Sequence, residues 1–137
     1  MTDGRLILCT ILEAAQSGQS DLSRARKKAA STAMIDVLAT QTETFDIIES
    51  AALQLAARRG WEIPSPPPRL RTGLSFLRRG RTDSAIAESL IRYHTDRIIR
   101  ELKIRNGCKI CDSPISELFQ KLLFCQSSGI RHLQPFL

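Results

Sequence analysis

Apolar residues recur at intervals of three and four along most of this 137-residue chain. Such spacing is typical of an amphipathic α-helix, because it places the apolar side chains on one face. The pattern predicts five helices, at about residues 3–17, 21–38, 44–59, 84–105 and 114–125. Only seven residues are aromatic, so leucine, isoleucine and alanine must form most of the core, a composition that favours helices over a β-sandwich. We therefore predict an all-α protein, a small bundle of about five helices.

Local signals set the predicted boundaries. Gly18 is expected to end the first helix, and the β-branched threonines of residues 40–44 to separate the second from the third. Gly60 and the pair Asn106–Gly107 are expected to end the next two helices. In the last helix, Ser113 serves as the N-cap and the proline after it occupies the first helical position.

The connection in the middle of the chain differs in composition from the rest. Residues 58–81 hold four of the six prolines and the only tryptophan. We divide the chain into an N-terminal helical part (1–60), an arginine- and proline-rich irregular connection (61–82) and a C-terminal helical part (83–137), which together are expected to form one compact domain.

The same stretch carries the positive excess of the chain. Residues 58–81 contain seven arginines and one acid, Glu62, which gives +6 and equals the net charge of the protein. The other thirteen basic and thirteen acidic residues cancel. A focused basic segment is an electrostatic footprint for a polyanion, and arginine binds phosphate in a bidentate manner. The candidate nucleic-acid-binding residues are Arg58, Arg59, Arg69, Arg71, Arg78, Arg79 and Arg81.

The prolines support a second interpretation of this segment. Pro64, Pro67 and Arg69 fit the pattern P-x-x-P-x-R, a polyproline II ligand for SH3-type domains. With Trp61 they are the candidate partner-binding residues. The alternative is a stiff spacer between two helical parts. Trp61 is also a candidate for stacking on a base.

The cysteines suggest a metal site. Cys108, Cys111, Cys125 and His132 form the pattern C-x2-C-x13-C-x6-H, which offers four ligands of the type that bind structural zinc. A helix over residues 114–125 would be about 18 Å long, which places Cys125 far from the first two cysteines. The chain therefore binds either one structural zinc or no cofactor, with the cysteines then serving as buried thiols.

The chain contains no phosphate-binding loop, nucleophile elbow, zinc-protease motif or dinucleotide-binding turn, so we predict no enzyme activity. Two non-enzymatic functions follow from the patterns above. The first prediction is a small basic regulatory or accessory protein that binds RNA or DNA electrostatically. The alternative is a helical protein–protein interaction adaptor or homo-oligomer that uses its apolar helix faces and the Pro-rich motif. The composition suits a viral or phage accessory protein, without a residue-level match.

The same composition bears on localisation. No stretch approaches the ~20 apolar residues that span a bilayer, and the apolar run from Leu6 to Leu12 is short for a secretion signal. We expect an intracellular, soluble protein without membrane contact. The basic cluster at residues 24–28 resembles a nuclear localisation signal, which would suit a nuclear location if the protein is eukaryotic or viral, but we favour its interpretation as a solvated helix face.

Overall fold

The computed structural model describes residues 2–63, 82–109 and 112–137, and all regular structure in these ranges is helical. The helices are α1 (Asp3–Lys28), α2 (Thr32–Arg58), α3 (Asp83–Asn106) and α4 (Ser113–Leu133), followed by a 3₁₀ turn at Gln134–Phe136. The all-α class is confirmed. The prediction of five helices is wrong, because the described residues form four long ones.

Gly18 does not end the first helix, contrary to the prediction. It lies buried inside α1, and a Cβ atom at this position would lie 3.2 Å from ring carbons of Phe45 in α2. The absence of a side chain therefore allows α1 and α2 to pack closely.

The threonine-rich stretch at residues 40–44 does not separate two helices, as predicted from sequence, but lies in the middle of α2. The hydroxyl of Thr42 donates to the carbonyl of Leu38 at 2.8 Å, as threonine can do within a helix. Burial of Leu38, Phe45 and Ile48 on the same helix outweighs the weak helix propensity of the threonines. The break lies instead at residues 29–31, where the Ser31 side chain accepts from the Met34 N–H and caps α2.

Contacts at the helix ends define the topology. The short link after α1 makes α2 antiparallel to it, and Asp83 at the start of α3 bonds to that link. At the opposite end, the Lys109 N–H donates to Asp3, and Arg59 pairs with Asp112. Helices α2 and α3 therefore run in the same direction, opposite to α1 and α4. The end of α2 and the start of α3 therefore lie at opposite ends of the bundle.

All four helices contribute to the core. Its largest fully buried side chains are Phe119, Ile7, Leu8, Ile11, Leu22, Met34, Leu38, Ile86, Leu90, Ile115 and Leu122. Helix α4 extends eight residues beyond the predicted end at 125, and its last residue, Leu133, is buried. Among the described residues, no helix combines the length and apolar character needed to cross a membrane.

Candidate functional site

The arginine- and proline-rich segment leaves α2 through a structured turn. Gly60 adopts a positive φ of 67°, and the Trp61 N–H donates to the carbonyl of Ala56 at 3.0 Å. This arrangement is a Schellman motif, which ends a helix and turns the chain back on it. The Trp61 ring is half-buried, with the Arg59 guanidinium 5.8 Å from its centroid. Trp61 is therefore held by its contacts with Ala56 and Arg59 at the end of α2.

Arg59 is held in place by α4. Its guanidinium forms a two-pronged ion pair with the Asp112 carboxylate, and one of the two contacts, from Nη2 to Oδ1, measures 2.8 Å. Asp112, and not Ser113 as predicted, caps α4 by accepting from the Ile115 N–H. Arg59 thus has a structural partner, whereas the side chain of Arg58 lies on the surface.

Two more contacts complete this end of the bundle. Arg5 donates from Nη2 to the carbonyl of Glu62, and the Lys109 N–H donates to Asp3 Oδ2 at 2.8 Å. A shallow cleft of about 600 Å³ lies among these groups, bordered by Trp61 and Lys109. Of its charged lining residues, Arg59 already pairs with Asp112 and only Lys109 remains, so we assign the cleft no ligand.

The residues that directly follow the segment, Thr82 and Asp83, are held in place as well. Asp83 accepts hydrogen bonds from the N–H groups of Ala30 at 2.8 Å and Ser31 at 3.0 Å. The Ser31 side chain and then the Ala30 N–H lower the pKa of Asp83 below its ordinary value. Thr82 caps α3 by accepting from the Ala85 N–H. Since α2 has 27 residues and is about 40 Å long, the two ends of the segment lie at opposite ends of the bundle.

Most of the predicted binding residues lie outside the described residues. This holds for Arg69, Arg71, Arg78, Arg79, Arg81, Pro64 and Pro67. Their proposed contacts with nucleic acid or with a protein partner remain predictions.

The predicted zinc ligands are spread over the bundle. Cys108 is half-buried at the end of α3, and burial, followed by the charge of Asp3, raises the pKa of its thiol. Cys125 is half-buried on α4, and His132 is exposed two turns further along the same helix. Cys111 lies outside the described residues, and within them no group of three His, Cys, Asp or Glu residues could hold a metal ion. Zinc binding stays a prediction, which metal analysis by mass spectrometry would test.

The sequence patterns did not reveal a polar network in the interior. Arg97 is nearly buried and lies 3.3 Å from Glu13 Oε1 and 3.5 Å from Glu101 Oε2. Gln126 of α4 donates to Glu101 Oε2 at 3.1 Å, so the network joins three helices. Burial raises the pKa of Glu101 to about 7, although Gln126 and Arg97 act in the opposite direction.

The network continues one turn away between α1 and α3. The hydroxyls of Tyr93 and Ser17 are 2.8 Å apart, and Asp21 lies fully buried nearby. Burial raises the pKa of Tyr93 to about 12, with the charge of Asp21 adding to the effect. These groups link α1 and α3 through the core.

The spacing of the buried polar residues on α3 indicates that they face the core, although their charges favour the surface. Leu90, His94, Arg97 and Glu101 follow one another at intervals of four, three and four, which is the buried stripe of a bundle helix. The i,i+4 spacing of Glu101 and Arg105, taken alone, favours an ion pair on the solvent face. Instead Glu101 is buried and Arg105 lies 5.4 Å from the ring centroid of Phe119.

His94 sits at the centre of the bundle as a core histidine. Its Nε2 lies 3.4 Å from Gln41 Oε1, its ring stacks on Phe45, and Gln41 donates in turn to the carbonyl of Gly129. Because Gln41 presents its oxygen, His94 Nε2 must carry the hydrogen. Burial lowers the pKa of His94 to about 4.

This burial predicts a pH dependence of stability. The unfolded chain takes up a proton near pH 6.5 that the folded protein resists until about pH 4, so stability falls as the pH drops through this window. Relative to His94→Gln, the wild type should lose about 2 kcal/mol of unfolding free energy between pH 7 and pH 5. Urea unfolding at both pH values measures it, with exposed His132→Gln as the control. Parallel pH profiles for the wild type and His94→Gln would contradict the assignment.

Comparison with known proteins provides no family assignment. No family model, curated protein sequence or solved structure matches this chain. The function is therefore inferred from the charges and contacts of this chain's own residues.

Proposed function

We propose that this protein binds RNA or DNA without enzymatic activity, as a small regulatory or accessory protein. In this proposal the helical bundle holds the arginine-rich segment, residues 58–81, at both of its ends. The segment supplies the contacts to the phosphate backbone.

The distribution of charge carries the proposal. Residues 64–81 contain five arginines and no acid, which leaves fifteen basic and fourteen acidic residues in the rest of the chain, a balance of +1. Several of those remaining charges are compensated within the bundle, as in the pairs Arg59–Asp112 and Arg92–Glu88. A nucleic acid would therefore be attracted mainly to the connection between α2 and α3.

The anchored ends add a thermodynamic argument. A segment that binds as a free tail loses more conformational freedom than one whose ends are already fixed. Trp61 lies against α1 at Gly4 and beside Arg59, and Asp83 accepts hydrogen bonds from the α1–α2 link. This preorganisation reduces the entropy that binding costs, and it explains why a bundle with balanced charge would carry such a segment.

Direct binding measurements test the proposal. We expect fluorescein-labelled single-stranded RNAs of unrelated sequences to bind the full-length protein with similar affinities, and duplex DNAs of unrelated sequences to do the same among themselves, because phosphate contacts carry no sequence information. Fluorescence anisotropy at low salt measures the dissociation constants. The absence of binding to all of these oligonucleotides would contradict the proposal, as would a strong preference for one sequence.

One observation favours the alternative, a protein–protein interaction function. Ile47 and Phe124 expose 63% and 68% of their surface on neighbouring helices. A protein that forms a stable homo-oligomer or complex through this face, and that binds no oligonucleotide, would support the alternative over nucleic-acid binding.

A further inference from the structure

An apolar groove lies between α2 and α4, midway along the bundle. Its volume is about 490 Å³, and Thr44, Ile47, Ile48, Lys121, Phe124 and Cys125 line it. Ile48 forms the buried side of the groove, whereas Ile47 and Phe124 project from its two rims. Two large apolar side chains thus stand across a groove wide enough for a third.

The two exposed residues are not needed for the core. On α2 the buried positions include Phe45, Ile48 and Ala52, and Ile47 lies outside this stripe. On α4 the buried positions include Leu122 and Gln126, on either side of Phe124. Exposed apolar patches bordered by polar residues are typical of interaction sites.

The charge around the groove indicates what kind of partner would fit. Between Thr32 and Ala57, α2 carries four acidic residues and no basic one, although the chain as a whole has a net charge of +6. Asp36 and Glu43 are exposed and share a helix face with Ile47, since they precede it by eleven and four residues. On α4, Glu117 and Lys121 are one turn apart and offset each other. The α2 rim of the groove is therefore acidic.

We propose that the α2–α4 groove binds a basic amphipathic helix of a protein partner. The partner inserts a large apolar side chain between Ile47 and Phe124, and its lysines or arginines face Asp36 and Glu43. This is the helix-in-groove mode of recognition, with charge complementarity selecting a basic helix over an acidic one. The groove contains none of the arginines assigned to nucleic-acid binding, so the two functions are separable.

A synthetic amphipathic helix of leucine and lysine, labelled with fluorescein, serves as the probe. The full-length protein should bind it at least ten times more tightly than a matched helix of leucine and glutamate. Phe124→Ser and Ile47→Ser should each weaken binding of the leucine–lysine helix at least tenfold. Ile99→Ser is the control, because Ile99 is also exposed, at 48%, but lies on α3 outside the groove.

Any result other than those expected above would overturn the proposal. Equal binding of both probes would remove the charge argument, and unchanged binding in Phe124→Ser would place the probe elsewhere. Sedimentation velocity of the protein alone tests whether a second copy of this chain occupies the groove. A wild-type dimer that Phe124→Ser dissociates would show that the groove is a self-association surface. RNA binding by Phe124→Ser should equal that of the wild type, so failure of this proposal is distinguishable from failure of nucleic-acid binding.

Discussion

Replacing Arg97 with methionine is expected to lower the free energy of unfolding by about 3 kcal/mol at pH 8, since breaking a buried ion pair leaves an uncompensated charge. The methionine fills much of the volume of the arginine stem but provides no positive charge. Glu101, 1% exposed, then keeps only the hydrogen bond from Gln126. Urea unfolding followed by circular dichroism measures the change.

The effect should depend on pH with a defined sign. The folded pKa of Glu101, about 7, lies above its ordinary value, so its contribution to stability is present at acidic pH and is lost as the pH rises through 7. Without the positive charge of Arg97, ionised Glu101 is even less favourable. Arg97→Met should therefore cost more at pH 8 than at pH 5.

A matched control and a rescue variant separate the buried charge from general damage to the helix. Arg92 and Glu88 form the same type of pair on α3, but their side chains are 76% and 58% exposed, so Arg92→Met should change stability by less than about 0.5 kcal/mol. The double variant Arg97→Met/Glu101→Gln should recover at least half of the loss, because no carboxylate is left buried. A loss below about 1 kcal/mol for Arg97→Met, or a double variant no more stable than the single one, would show that the pair is not coupled as described.

The second large effect concerns the arginine-rich segment. Replacing Arg69, Arg71, Arg78, Arg79 and Arg81 with glutamine should weaken RNA binding on the order of 100-fold at low salt, because about five phosphate contacts are lost. Arg59 is left unchanged, since its removal would also release Asp112 and Trp61. Anisotropy with labelled RNA measures the affinity.

The control for this variant removes the same amount of charge from the bundle surface. Arg92, Arg100, Lys103, Lys121 and Arg131 are all exposed on α3 and α4. Their replacement by glutamine should weaken RNA binding less than about tenfold, through long-range electrostatics alone. Equal losses in the two variants would mean that net charge matters and the location of the arginines does not.

Sequence patterns predicted the helical class and the bounds of α3 well, because those signals are local. The helix predicted at 84–105 is observed at Asp83–Asn106, where Thr82 caps its start and Gly107 follows its end. The errors lie where packing overrides local preference. Gly18 looks like a helix terminator in sequence, but it serves a close contact with Phe45 that no local pattern reveals.

The candidate site divides in the same way. A charge count locates the basic segment without any structure, since the excess of arginine over acid is a property of the sequence. The pairing of Arg59 with Asp112 could not be predicted, because it joins residues 53 positions apart that meet only through the bundle topology. The burial of Glu101 was missed for a different reason: its charge and its spacing from Arg105 favoured the surface, whereas the apolar stripe placed it inside.

The salt dependence of RNA binding tests the central proposal most directly. For contacts by the five arginines of residues 64–81, a plot of the logarithm of the association constant against the logarithm of salt concentration should have a slope of about −3.5 for a single strand. The five-glutamine variant of this segment should show a slope close to zero, while the control variant keeps a slope close to that of the wild type. A wild-type affinity that does not change between about 50 and 200 mM salt would contradict binding through the arginine-rich segment.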